Sequence, residues 1–179
     1  MDSYVWETLR RYKPEMAAHT RVVSRSPEFG HTPFVARRGV APQWRVFLRA
    51  MMETLEGHLD HDAREGLLRM VGARMAALMP LPPCATLAEL ESRMNETLAT
   101  ADWGYVQISL DVNNRTVLLR HVAAPLVGTH ADLTGSWAGV VLEGLYGAWF
   151  SHQPGAEPGI HVRRWGPDGG GIMLRYARG

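Results

Sequence analysis

With 179 residues, 46% of them hydrophobic and 21% charged, the chain is long enough to bury a core without disulfide or metal staples, and it is neither collagen-like nor disordered throughout. The formal net charge of +1 divides into +3 over residues 1–43 and −2 over residues 44–179, too slight an imbalance for a nucleic-acid reader with its concentrated basic face. The single cysteine, Cys84, excludes an intramolecular disulfide, and the opening Met1-Asp2-Ser3-Tyr4 lacks the basic-then-apolar pattern of a secretion signal, so a cytoplasmic protein is expected.

Residues 1–43 contain Pro14, Pro27, Pro33 and Pro42 with Gly30 and Gly39. Apart from a short helix expected at Asp2–Tyr12 they show no sustained period of 3.6 or 2, and they read as an N-terminal arm ahead of one domain at 44–179. Arg37, Arg38 and Phe34 are the arm residues expected to dock on a partner. From Trp44 a helical period sets in, with Trp44, Phe47, Leu48, Met51, Leu55 and Leu59 on one stripe and Pro42-Gln43 at its start. A second helix places Leu67, Leu68, Val71, Met75 and Leu78 on one face, with Asp60/Arg64 and Glu65/Arg69 as pairs expected on the exposed side, and Pro80, Pro82 and Pro83 end it. Thr86-Leu87-Ala88-Glu89 matches a capping box and opens a third helix striped by Leu87, Leu90, Met94 and Leu98.

After Asp102 the period changes to 2. Val106, Ile108 and Leu110 alternate with Tyr105, Gln107 and Ser109, and a turn at Asn113-Asn114 leads into a second strand through Val117 and Leu119. A further helix is expected from near Ser136 to His152, then a hairpin pairing Ile160–Trp165 with Ile172–Tyr176 across the glycine-rich turn at 166–171. Amphipathic helices followed by a ββαββ unit with a small antiparallel sheet make an α+β fold. The stretch Trp137–Phe150 is apolar almost all round but is only 14 residues long with Glu143 inside it, too short to span a bilayer. An all-round apolar helix must be buried all round. A small domain covers one side, so the rest, at Trp137, Val141, Leu145, Tyr146 and Trp149, is expected to meet another subunit, with Gly139, Gly144 and Gly147 admitting its backbone.

Chemistry is sparse. His58 and His61 stand at ligand spacing but supply only two donors, the glycine-rich turn is neither a Walker loop nor a dinucleotide fingerprint, and no Gly-x-Ser-x-Gly elbow is present. Cys84 reads as a small buried hydrophobe, and Asp111, Asp132 and Glu143 have no spacing that marks a catalytic carboxylate pair. No enzyme activity, metal, cofactor, nucleic-acid or membrane-inserting role is expected. Trp44, Trp103, Tyr105, Trp137, Trp149 and Trp165 are candidate stacking platforms for sugar rings.

Three stretches resemble the D subunit of bacterial cellulose synthase complexes. They are Leu78-Met79-Pro80-Leu81-Pro82-Pro83-Cys84, Asp102-Trp103-Gly104-Tyr105-Val106, and Gly135-Ser136-Trp137 through Glu143-Gly144-Leu145-Tyr146-Gly147-Ala148-Trp149 to Gln153-Pro154-Gly155. The resemblance runs from about residue 44 to the end, while the arm has no counterpart in the family pattern. It implies a non-catalytic scaffold that organises synthase complexes and glucan export for crystalline cellulose. It further implies a homo-octamer built from dimers, with synthase subunits, a proline-rich companion protein and glucan chains as partners, acting from the cytoplasm near the inner membrane or from the periplasm. A haem-type sensor of similar layout is the competing reading, with His121 or His130 as ligand.

Overall fold

The computed structural model describes residues 40–111, 116–166 and 171–178. The N-terminal arm through residue 39, the helix expected at Asp2–Tyr12, the Asn113-Asn114 turn and most of the glycine-rich turn lie outside the described residues. Helix α1 spans Pro42–His58, α2 His61–Leu78 and α3 Leu87–Thr100. Strands β1 (Tyr105–Asp111) and β2 (Thr116–Val122) follow, then α4 (Trp137–Ser151), β3 (Ile160–Arg164) and β4 (Ile172–Arg178). The α+β class and the ββαββ order agree with the sequence pattern.

Local chemistry sets the helix ends. Pro42 occupies the first turn of α1, where its missing N–H is no loss. Asp60 caps α2 by accepting from Ala63 N at 2.8 Å, so it serves as a cap instead of pairing with Arg64. The Thr86 cap of α3 forms as expected, with Glu89 N donating to Thr86 Oγ1 at 3.1 Å, but Glu89 Oε2 reaches one residue further back than a capping box requires and accepts from Ala85 N at 2.9 Å. The start of α4 is held differently, because Ser136 makes no side-chain cap and Asp132 accepts from Gly135 N and Ser136 N at 3.1 and 2.5 Å.

The four strands form one antiparallel sheet in the order β1-β2-β4-β3. Period-2 alternation puts Val106, Leu119, Leu174 and Val162 on the face covered by α3 and α4, all at 2% exposure or less. The edge strand β1 is closed by α3: Asn95 both donates to Val106 O at 2.9 Å and accepts from Val106 N at 2.7 Å, and Glu91 accepts from Ile108 N at 2.6 Å. These bonds remove a row of free strand groups that would otherwise invite pairing with another chain.

Helix α4 is the centre of the molecule, with α2 crossing it on one side and the sheet on the other. Trp137, Val141, Leu145, Tyr146 and Trp149, expected at a subunit interface, are instead buried by their own chain at 8%, 2%, 0%, 0% and 2% exposure. A domain of this size covers both sides of the helix, with α2 on one and the sheet on the other, and two glycines supply the reason. A Cβ on Gly72 of α2 would lie 1.9 Å from Val141 O, and one on Gly144 of α4 would lie 2.0 Å from Arg69 O. The two helix backbones therefore touch, and the close approach anticipated from a neighbouring subunit comes from α2. Gly139 faces the Arg164 side chain, and Gly147 has open space around it.

Candidate interaction surfaces

Two of the three stretches singled out in the sequence, the proline loop and the end of α4, meet in space. Gln153, 6% exposed just after α4, accepts from Cys84 N at 2.9 Å and donates from Nε2 to Pro82 O at 3.4 Å. Trp149 Nε1 donates to Met79 O at 2.9 Å. The proline loop between α2 and α3 is thus stitched to the end of α4 through its backbone, which explains why glutamine and tryptophan stand at those positions. Cys84 is buried with its Sγ 3.3 Å from Pro82 O, and burial pushes its thiol pKa up, the reverse of what a nucleophile needs. Gly104 has φ of +83°, and a Cβ there would sit 2.1 Å from Val122 O, so only glycine lets Trp103-Gly104-Tyr105 enter β1. Gly155 likewise has φ of +80°. Pro83 and Pro154 are exposed, and Tyr105 is 37% exposed.

Glu143 is a buried carboxylate, 4% exposed, that ties three elements together. Its Oε2 accepts from Arg69 Nε at 2.7 Å, and its Oε1 accepts from Arg164 N and Nε at 2.8 and 3.2 Å. Glu65 pairs with both arginines in turn, so the Glu65/Arg69 pair faces inward toward α4 and not outward as the helical spacing alone suggested. Burial raises the Glu65 pKa, but hydrogen bonds from Arg164 and Arg69 outweigh it and hold the carboxyl below its usual value. An open cleft of about 440 Å³ lies beside this network, lined by Arg69, Ser136, Glu143 and Arg163 among others.

The histidines form no ligand set. Among the described residues no group of three or more His, Cys, Asp or Glu converges on a common point. His58 bonds Thr54 O at 2.8 Å, and His61 lies near Asp62 and Glu65. His130 is a surface side chain 2.9 Å from Arg49, whereas His121 is fully buried with Nδ1 2.5 Å from the Tyr146 hydroxyl. Nothing in the sequence pattern pointed to the His121–Tyr146 pair, because the two stand 25 residues apart on different elements.

Of the six candidate stacking aromatics, Trp137 and Trp149 are core and Trp103 is half-buried, while Trp44 is 58% exposed, Trp165 46% and Tyr105 37%. Helix α1 exposes apolar residues that its helical period assigned to the core. Trp44, Val46, Phe47 and Met51 all stand exposed there, and Met52 is the one fully buried residue of the helix. Trp44 and Phe47 are already packed edge to face, with centroids 5.9 Å apart. The link from Thr129 Oγ1 to Glu56 Oε1 at 2.8 Å fastens the helix to the loop before α4. No described helix is long and apolar enough to cross a membrane.

Comparison with known proteins shows the family. A family model for the D subunit of cellulose synthase matches residues 31–177. Two curated relatives, each called cellulose synthase operon protein D, come from Komagataeibacter xylinus and Komagataeibacter sucrofermentans. Each is 36% identical over 115 residues, covering 64% of this chain and 74% of the relative.

Proposed function

The chain belongs to the family of cellulose synthase D subunits, and on that premise we propose that it is a scaffold whose copies join through the outer face of α1 and so organise synthase complexes and glucan export. It is an accessory subunit of cellulose synthesis and not the catalytic one. The exposed apolar stripe of Trp44, Phe47 and Met51, with Val46 exposed on another side of the same helix, carries the reading, since contiguous exposed apolar surface on a helix with one buried residue marks a contact site. A second copy is the simplest cover, and an octamer is the expected assembly. Other subunits of the synthase, a proline-rich companion and glucan chains are the further partners, with the cytoplasmic side of the inner membrane as the site of action. Residues 1–43, through Phe34, Arg37 and Arg38, dock on a neighbouring subunit or synthase component; unchanged assembly and co-purification after deletion of residues 1–40 would refute that role.

The test is the mass of the purified full-length protein by light scattering over a dilution series. An oligomer for the native chain and a smaller species for Trp44→Ser/Phe47→Ser support the reading. A native monomer at every concentration overturns it, and an unchanged oligomer in the double variant moves the interface away from α1.

A further inference from the structure

The sheet face turned away from α3 and α4 carries an arrangement that the scaffold role does not explain. Register places Arg163 of β3 directly opposite Arg175 of β4, both exposed. Like charges directly across a sheet are destabilising, and among the described residues neither arginine has a carboxylate partner. Arg120 of β2 lies on the same face, opposite Met173, as does His161 of β3. Asp111 is the one carboxylate among the described strand residues of this face, at its far corner opposite Thr116. At the other end stand the two exposed aromatics of the sheet, Tyr105 opening β1 and Trp165 just past β3, whose N–H donates to Met173 O at 2.9 Å.

We propose that this open sheet face docks on an anionic lipid surface, with Arg163 and Arg175 against headgroup phosphates and Trp165 and Tyr105 seated at the level of the headgroups. Two clustered guanidiniums at a sheet cost, without acceptors of their own, are complementary to a field of phosphates, and exposed tryptophan and tyrosine beside them are the side chains that favour the membrane–water interface. An acidic peptide fits less well. Extended peptides add to a free sheet edge or lie in a groove, but the Val106 and Ile108 N–H groups on the β1 edge are taken by Asn95 and Glu91, and the Arg164 N–H on β3 is taken by Glu143. The N-terminal arm is also a poor cover, because residues 1–43 carry seven basic against four acidic side chains. The face needs no inserted helix to bind, in keeping with the absence of a spanning helix among the described residues.

The experiment is co-sedimentation of the full-length protein with phosphatidylcholine vesicles, and with vesicles in which roughly a third of the lipid is phosphatidylglycerol, at low and high salt. Binding is expected only to the anionic vesicles and weaker at high salt. Arg163→Gln/Arg175→Gln should lower the apparent affinity by about 30-fold, taking about 5-fold for each arginine near the surface, while Arg163→Lys/Arg175→Lys retains most of it. Thermal unfolding and solution mass of each variant, compared with the native chain, separate a folding or assembly defect from a lost docking site. Equal binding to neutral vesicles, no binding to anionic ones, or equal binding by the glutamine variant overturns the proposal. So does a change of oligomeric mass in that variant, which would make the face a contact between copies.

Discussion

Burial pushes the His121 imidazole pKa down to about 4 from an ordinary 6.5, since the ring is sealed beneath α4 and Nε2 has no hydrogen-bond partner. The Trp103 backbone favours the charged form, but not enough to offset burial and without giving Nε2 a hydrogen bond. A histidine depressed in the folded state binds its proton more readily when unfolded. Its contribution to stability is therefore fully present above about pH 6.5 and is lost as pH falls toward about 4. At 1.36 kcal/mol per unit, the loss reaches about 2 kcal/mol at about pH 5 and about 3 kcal/mol below the folded pKa. Replacement by glutamine keeps a polar partner for the Tyr146 hydroxyl and cannot titrate. Urea unfolding of native protein and His121→Gln, followed by tryptophan fluorescence between about pH 7.5 and pH 5, should show the native curve falling by about 2 kcal/mol more than the variant's. Glu65 and Asp132 both have lowered pKa values, so their contributions are lost only below the ordinary carboxylate range and cancel in the difference. Parallel curves for the two proteins would refute the argument that the neutral ring is locked in.

Gly144→Ala and Gly72→Ala each force a methyl group into a facing helix backbone and should each cost about 3 kcal/mol or more, read as a lower urea midpoint; Gly147→Ala, with open space around it, serves as the control and should be close to neutral. Glu143→Ala removes the shared acceptor of Arg69 and Arg164, and because both arginines remain about a third exposed and keep Glu65, the expected cost is about 2 kcal/mol instead of the full value for a buried pair. Gln153→Ala leaves Cys84 N without its acceptor, so destabilisation of about 1–2 kcal/mol is expected, together with faster exchange of that amide measured by hydrogen exchange.

What the sequence disclosed and what it withheld follow from how far each signal reaches along the chain. Periodicity and capping are local, so the helices and strands among the described residues, and the Thr86 cap, were readable to within a residue or two of their ends. Whether the all-round apolar α4 needed another subunit was not readable. That depended on Gly72, placed in a different helix 72 residues before Gly144, and a lone glycine in a helical stretch gives no sign of what will approach it. The same limit explains Glu65 and Arg69. Their spacing of four residues predicted a pair but not its direction, which is set by Glu143 and Arg164 from later in the chain. The motif stretches were identified without a reason for them, and the hydrogen bonds of Gln153 and Trp149 to the proline loop supply one.

The monomer divides its work between two parts, and this bears on how an assembly could be changed without unfolding its units. Helices α2, α3 and α4 with the sheet share one core, and eleven residues of α4 alone are buried. Helix α1 buries only Met52 and shows its aromatic residues to solvent. Substitutions at Trp44 and Phe47 remove surface that the monomer does not use, so they should leave the urea midpoint of an isolated protomer nearly unchanged while altering mass in solution. Substitutions in α4 should do the opposite, abolishing the fold before they alter any contact. Because assembly itself stabilises the folded state by mass action, the two classes separate only when unfolding is measured across protein concentrations: the native midpoint should rise with concentration, that of Trp44→Ser/Phe47→Ser should not, and a concentration-dependent midpoint in the double variant would place the contact elsewhere on the molecule.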